Sequence, residues 1–290
     1  METRIGISGW RYTPWRGIFY PEELKQNQEL YFASRQVDTI EINGTFYATQ
    51  KPESYQKWHQ DTPADFIFSV KGPRYITHIR RLKDIELPLA NFFASGVLHL
   101  KEKLGPFLWQ FPPNFVFDEQ RLGSFFEKLP RTFKQATQLA DMSDRLSPSY
   151  PLDLRKANRK IRHAIEVRHH SFENPYFIEL LRRHNIALVF ADTAGKWPYI
   201  EDITSDFLYL RLHGDEELYT SGYDDSTLHW WADRIELWKK GQAPANALTL
   251  TDQPAPTKKR DVFVYFDNDV KVRAPQDAST LSNMISHKRH

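Results

Sequence analysis

Eight short runs of apolar, β-branched and aromatic residues recur along the chain, and longer polar or amphipathic segments separate them. The runs are Ile5–Gly9, Thr39–Asn43, Phe66–Lys71, Phe107–Phe111, Ala164–Arg168, Ala187–Asp192, Phe207–His213 and Val262–Asp267. Each has the length and residue types of a strand. Most of the intervening segments have helical character: Leu24–Arg35, Glu53–His59, Pro175–His184, and Ser226–Lys240, which meets a helix-stopping glycine at Gly241. Strands alternating with helices imply a parallel α/β sheet joined by crossovers. Eight such units favour a closed (β/α)8 barrel of the TIM type over an open doubly wound sheet, whose glycine-rich turn is missing. A length of 290 residues suits a single barrel domain over residues 1–290. Two stretches break the rhythm. Asp118–Arg162 is too long for one helix and contains the turn-rich Ser147–Pro151, so it reads as helix, excursion and second helix. Gln242–Lys259 reads as an exposed loop before the last strand.

Hydrophobic residues make up 40% of the chain and charged residues 26%, a globular balance with material for a large core. A formal net charge of +2 projects no field that would select nucleic acid or membrane, although a local basic groove is compatible with it. The absence of cysteine excludes disulfides, thiolate metal sites and cysteine nucleophiles. No run approaches the roughly 18 apolar residues of a membrane span, and METRIGISGW lacks an export-signal stretch. The expectation is a cytoplasmic protein that does not engage a membrane.

Strands of a parallel barrel are covered on both faces and should be apolar throughout. Several of these are not. Ile40 and Ile42 share one face while Glu41 and Asn43 share the other; Ile165 and Val167 alternate with Glu166 and Arg168. Leu208, Leu210 and Leu212 alternate with Tyr209, Arg211 and His213, and Phe66, Phe68 and Val70 with Ile67, Ser69 and Lys71. Period-two alternation fixes these faces. With the apolar faces on the outer helices, the polar set points into the barrel near the C-terminal strand ends, where active sites of this architecture sit. Buried charges must pair, meet water or meet a ligand. Two readings stay open: an internal lattice in which Glu166 and Arg168 neutralise Lys71, Arg211 and Glu41, and a site.

The motifs IGISGW with WRGIFYP, TIEINGTFY, FIFSVKGPRYITH, LGPFLWQFPPNF, AIEVRHHSF, ADT, FLYLRLHG and VYFDND followed by Ala278 run from Ile5 to Ala278 in consistent order. With them the chain closely resembles the YecE-like proteins, the domain of unknown function 72 (DUF72). The resemblance implies a barrel of the triose-phosphate-isomerase type and brings no activity with it.

As a site, the polar set assigns Glu41, Glu166, His213 and Asp192 to acid–base or nucleophilic work. Substrate-binding candidates are Asn43, Tyr47, Lys71, His78, Gln110, Arg168, His169, Arg211, Tyr223 and Asp267. Arg168, Arg211 and Lys71 suit a small phosphorylated or carboxylated partner. A metal reading would draw on His78, His169 and His213 with the acidic residues, but no HExxH-like spacing supports it. No metal ligand is assigned and no cofactor is expected. Trp10, Tyr12, Trp15, Phe46, Tyr47 and Tyr223 would rim the same mouth and read as a plug of the barrel top. The leading reading is a cofactor-independent, hydrolase-like enzyme. A nucleic-acid binder or nuclease using Arg74, Arg80, Arg81 and Lys83, and a non-catalytic ligand-binding protein, are the alternatives.

Overall fold

The computed structural model describes residues 1–146, 157–253, 256–269 and 271–287. Eight parallel strands close into a barrel in sequence order. They are β1 (Thr3–Ser8), β2 (Thr39–Ile42), β3 (Ile67–Lys71), β4 (Leu104–Gln110), β5 (His163–Glu166), β6 (Ala187–Asp192), β7 (Phe207–Leu212) and β8 (Asp261–Phe266). Closure comes from β1, which pairs with β2 through Ile7↔Ile40 and with β8 through Ile5↔Val264. All eight runs expected from the sequence are strands, and the fold is the TIM-type barrel.

Around them lie α1 (Glu29–Ala33), α2 (Gly44–Tyr47), α3 (Pro52–Asp61), α4 (Glu86–Ala94), α5 (Glu119–Lys128), α6 (Phe133–Ala140), α7 (Pro175–Arg183), α8 (Asp225–Lys239) and α9 (Arg273–His287). The helix expected over Leu24–Arg35 is a 3-10 turn at Gln26–Gln28 followed by the short α1. Its apolar buried residues are Leu30 and Ala33, one turn's worth of core contact. In Asp118–Arg162 the described residues hold two helices, α5 and α6, separated by Leu129–Thr132, where Pro130 interrupts and Thr132 caps α6 by accepting from the Gln135 amide. Ser147–Pro151 lies outside the described residues. Among the described residues, Gln242–Lys259 carries no helix or strand, as expected of a loop.

The alternation of the strands divides the apolar core in two. Ile7, Ile40, Phe68, Trp109, Ile165, Leu210 and Val264 face outward and pack under the helices. Leu108, Ala164, Val189, Phe207, Phe263 and Tyr265 fill the interior. Above these, toward the C-terminal ends, the interior turns polar.

Candidate functional site

The polar layer begins with tyrosines. Tyr265 Oη lies 2.9 Å from Thr39 Oγ1, and Tyr209 Oη lies 2.6 Å from Ser69 Oγ across the barrel. One step further along the strands, Arg211 becomes the hub. Its Nη2 donates to Glu41 Oε1 at 2.9 Å and to Asp267 Oδ2 at 2.7 Å, and its Nη1 donates to Glu166 Oε2 at 2.6 Å. Glu41 also accepts from Ser8 Oγ and from Tyr209 Oη, each at 2.5 Å. Arg211, Glu41 and Glu166 are fully buried. Burial opposes the charge on Arg211, but Asp267, Glu41 and Glu166 more than offset it and raise its pKa. Burial also opposes the charge on Glu166; Arg168 and Arg211 outweigh it and hold the carboxyl well below its usual range.

Arg168 completes the Glu166 pair, with Nε at 2.8 Å and Nη2 at 2.7 Å from Oε1. Its guanidinium stacks on Trp197 at 3.8 Å, and Nη2 donates to Tyr219 Oη at 3.1 Å. His213 is buried between Arg211 and Asp267, its Nδ1 3.0 Å from Asp267 Oδ2. Burial and Arg211 lower its pKa and keep the ring neutral at pH 7. Of the two readings left open by the sequence, the lattice describes Arg211, Glu41, Glu166 and Asp267, with Arg168 on Glu166: each of these groups has a hydrogen-bonded partner of opposite sign.

Three groups in the same mouth have no such answer. Lys71, 8% exposed, forms no ion pair among the described residues; its Nζ lies 4.4 Å from the centroid of the Phe46 ring. Burial and the nearby Arg211 bring its pKa down to about 8. Gln110, 6% exposed, shares the inward face of β4 with Leu108, and its amide makes no protein hydrogen bond among the described residues. Asn43 gives its Nδ2 to Ser8 Oγ at 3.1 Å, while its buried Oδ1 has no partner. Beside them His78 sits in a π-helical turn, Tyr75–Ile79, edge-on to Phe46. Burial and Lys71 hold its pKa down to about 4. Unpartnered buried polar groups are rare and mark places where a ligand or water belongs.

Other candidates are placed elsewhere. Asp192 shares the outward face of β6 with Leu188 and Phe190, so it cannot meet Glu41 or Glu166. It accepts from Tyr223 Oη at 3.0 Å and borders a separate cleft of ≈ 420 Å³ with Tyr199, Asp215 and Trp230. Tyr223, the donor to Asp192, packs against the outward-facing Phe266 and borders another cavity with Arg273 and Asp277. His169 caps the 3-10 turn His170–Phe172, its Nδ1 accepting from the Ser171 amide at 3.1 Å. Tyr47 is 72% exposed and touches Phe46 by its edge only. Trp10 and Trp15 are core residues. In the basic segment, Arg80 pairs with Asp84 and Arg81 donates to the Asn114 carbonyl. Among the described residues no three His, Asp or Glu side chains are grouped to hold a metal ion. No helix of the described chain is long and apolar enough to cross a membrane.

Ser8, Trp197 and Tyr219 belong to the mouth without having been singled out for it, and Tyr209, placed on the inward face by its alternation, was not among the named site residues. Ser8 and Tyr209 had a signal, since each falls on the inward parity of its strand. Trp197 and Tyr219 come from loops, whose course no periodicity predicts. At the opposite end of the barrel, a cavity of ≈ 290 Å³ is bordered by Arg4 and Arg162, but these pair with Glu2 and Asp261. It offers no comparable unanswered group.

Comparison with known proteins gives this geometry a family. YecE of Escherichia coli, a UPF0759 protein, is 29% identical over 138 residues, covering 47% of this chain and 47% of that protein. YunF of Bacillus subtilis, also a UPF0759 protein, is 30% identical over 117 residues, 38% of this chain and 40% of that protein. The chain thus matches about half the length of these curated relatives or less. A solved DUF72 family protein of Thermotoga maritima superposes with a TM-score of 0.73 at 25% identity, covering 99% of this chain and 100% of that one. A DUF72 family protein of Enterococcus faecalis, 16% identical, shares the fold with a TM-score of 0.69 over 98% of this chain and 95% of that one. The family model described as "Protein of unknown function DUF72" matches residues 4–290, and on that match this chain belongs to the DUF72 family.

Proposed function

We propose that the C-terminal mouth of the barrel binds a small phosphorylated or carboxylated molecule and transforms it by cofactor-independent acid–base chemistry, with Lys71 as the titrating group. The observation that carries this reading is that the Lys71 ammonium has no direct partner among the described residues. Arg211 and Arg168 are each hydrogen-bonded to carboxylates, whereas buried Lys71 makes no ion pair among the described residues and feels Glu41, Asp267 and Glu166 only at longer range. A buried ammonium with no direct partner is costly, and an anionic ligand in contact with it would reduce that cost. Gln110 and the Asn43 carbonyl oxygen supply a donor and an acceptor to orient it. Glu166 is poorly suited to donate a proton, because Arg168 and Arg211 favour its ionised form. A lysine near pH 8 can donate in one form and accept in the other. Hydrolysis of a small ester or phosphoester is the reaction type that needs no more than this.

Calorimetric titration with inorganic phosphate and with pyruvate tests the reading. Binding at pH 8.5 is expected to take up protons, seen as a dependence of the heat on buffer ionisation, because the anion restores the Lys71 charge. Lys71→Met is expected to weaken binding at least tenfold. Equal affinity in wild type and Lys71→Met, or no binding of either anion, would overturn it.

A further inference from the structure

We infer that Lys71 is an imine-forming lysine and that the mouth accepts a small carbonyl compound that also carries a carboxylate or phosphate. This rests on the anion-binding reading and names the substrate class for the same site. A lysine that attacks a carbonyl must shed its proton without breaking an ion pair, must be held apart from water, and must face an open side. Lys71 has all three features. It makes no ion pair among the described residues, the Phe46 ring walls it at 4.4 Å, and it stands at the end of β3 with 8% of its surface open.

A second cation lies across the barrel from it. Ser69 and Tyr209 meet at 2.6 Å, and Lys71 and Arg211 are the next inward residues on the same two strands. Arg211 cannot lose its proton at any physiological pH, so the amine is the member of the pair that gives way. Glu41, Glu166 and Asp267 pull in the other direction, but each is hydrogen-bonded to Arg211. His78 flanks the other contact of Phe46, at 5.1 Å, with Nδ1 tied to Thr77 Oγ1 at 2.8 Å. Neutral at pH 7, it is positioned to carry protons.

The step balances without an oxidant or reductant. The Nζ lone pair adds to the carbonyl carbon, the carbonyl π electrons go to oxygen, and one of the two nitrogen protons passes to that oxygen to give a neutral carbinolamine. The hydroxyl then takes a second proton from solvent and leaves as water, while the restored nitrogen lone pair forms the C=N bond of a cationic imine that keeps the remaining N–H. The ligand's acidic group would sit beside this new cation, with Gln110 and Arg168 in reach of the same mouth.

Pentane-2,4-dione, which condenses with neutral amines, and glyoxylate with sodium cyanoborohydride are the probes. Each is applied to the full chain at pH 7.5, and modified lysines are located by peptide mass spectrometry. Lys71 is expected to react at least about tenfold faster than exposed Lys57 and Lys196, as its larger neutral fraction requires. The comparison is internal to the wild-type protein, so it stands whether or not a variant folds. Lys71→Arg should abolish that fast adduct, and inorganic phosphate should slow it. Labelling of Lys71 no faster than of Lys57 overturns the inference. If phosphate binding is still lost in Lys71→Met, the anion-binding reading survives that failure. Fast labelling of Lys71 without any phosphate binding would leave the imine standing and remove the anion site.

Discussion

A guanidinium that holds three carboxylates is a different object from a surface ion pair. Arg211 is buried with Glu41 and Glu166 and is hydrogen-bonded to both and to Asp267. Arg211→Met therefore removes the cation that the three carboxylates share and leaves Arg168, on Glu166, and Lys71 as the cations beside them. The expected cost is about 3–5 kcal/mol of unfolding free energy, read from urea denaturation. A loss below about 1 kcal/mol would show that the lattice is solvated and not internal. Lys71 makes the opposite prediction. It faces Arg211, Glu41, Asp267, Glu166 and His78, and its folded pKa of about 8 lies below the unfolded value of 10.5. Between those values the unfolded chain binds more protons than the folded one, so stability rises with pH. The Lys71→Met variant should be the more stable protein at pH 7.5, by up to about 3 kcal/mol. That advantage should shrink through pH 10; a pH-independent difference would refute it. At this scale much of the site was legible. Alternation put Glu41, Glu166 and Arg211 on one inward face, but it could not say that Arg211 would satisfy both carboxylates while Lys71 went without. Pairing depends on rotamers and on shear between strands, and neither leaves a mark in a single strand's pattern.

The strands were readable because each has to satisfy two environments at once. The same rule also corrects Asp192: it shares parity with Leu188 and Phe190, so it belongs to the outer face on which those residues pack. Helices were less legible where the crossover is short. Glu29–Ala33 buries a single turn, so little periodicity is imposed on it, whereas α7 carries Phe177, Ile178, Leu180 and Leu181 on its buried side. The start of α7 is marked by Asn174, whose Oδ1 accepts from the Tyr176 amide at 3.0 Å, and by Pro175 in the first turn. Asn174→Ala should cost about 1 kcal/mol. Close approach between strands imposes a harder limit. At Gly6 a Cβ would stand 1.7 Å from the Thr39 carbonyl oxygen, on the inward face between β1 and β2. Gly6→Ala must spread the seam between β1 and β2, next to the β1–β8 pair that closes the barrel. The expected outcome is a protein that fails to accumulate in soluble form or unfolds at markedly lower urea. A melting curve matching that of wild type would show that the seam can open without cost.

Closing eight strands into a barrel leaves two cores and strands no titratable group casually, so the pH response of the whole molecule has readable components. His163 is one that a single substitution can isolate. It lies on the outer face of β5, just before the run Ala164–Arg168 that the sequence suggested. Its Nε2–H donates to the Pro130 carbonyl at 2.8 Å, and Nδ1 accepts from Trp109 Nε1 at 3.1 Å. Both nitrogens are engaged in the neutral ring, and a second proton would face the indole N–H. Burial and Arg131 hold its pKa down to about 3. The native ring stays neutral while the unfolded one charges below pH 6.5, so its contribution is full above 6.5 and lost as the pH falls toward 3. Glu166 and Asp267, held below their usual ranges, begin to act only beneath about pH 4.5. Asp192 and Asp269, both pushed up to about 6 by burial, act in the opposite sense: the native protein takes up protons there first. His78 adds to the histidine side. The wild-type curve between pH 6.5 and 4.5 is thus a sum of opposed terms, and a difference isolates one of them. Replacing His163 with Gln should remove about 2 kcal/mol of the wild-type loss between those pH values, with a constant offset for the altered hydrogen bonds. Urea unfolding at pH 6.5, 5.5 and 4.5 on both proteins measures it. Parallel curves would mean that His163 is protonated together with the unfolded chain, and that its two hydrogen bonds do not fix the neutral ring.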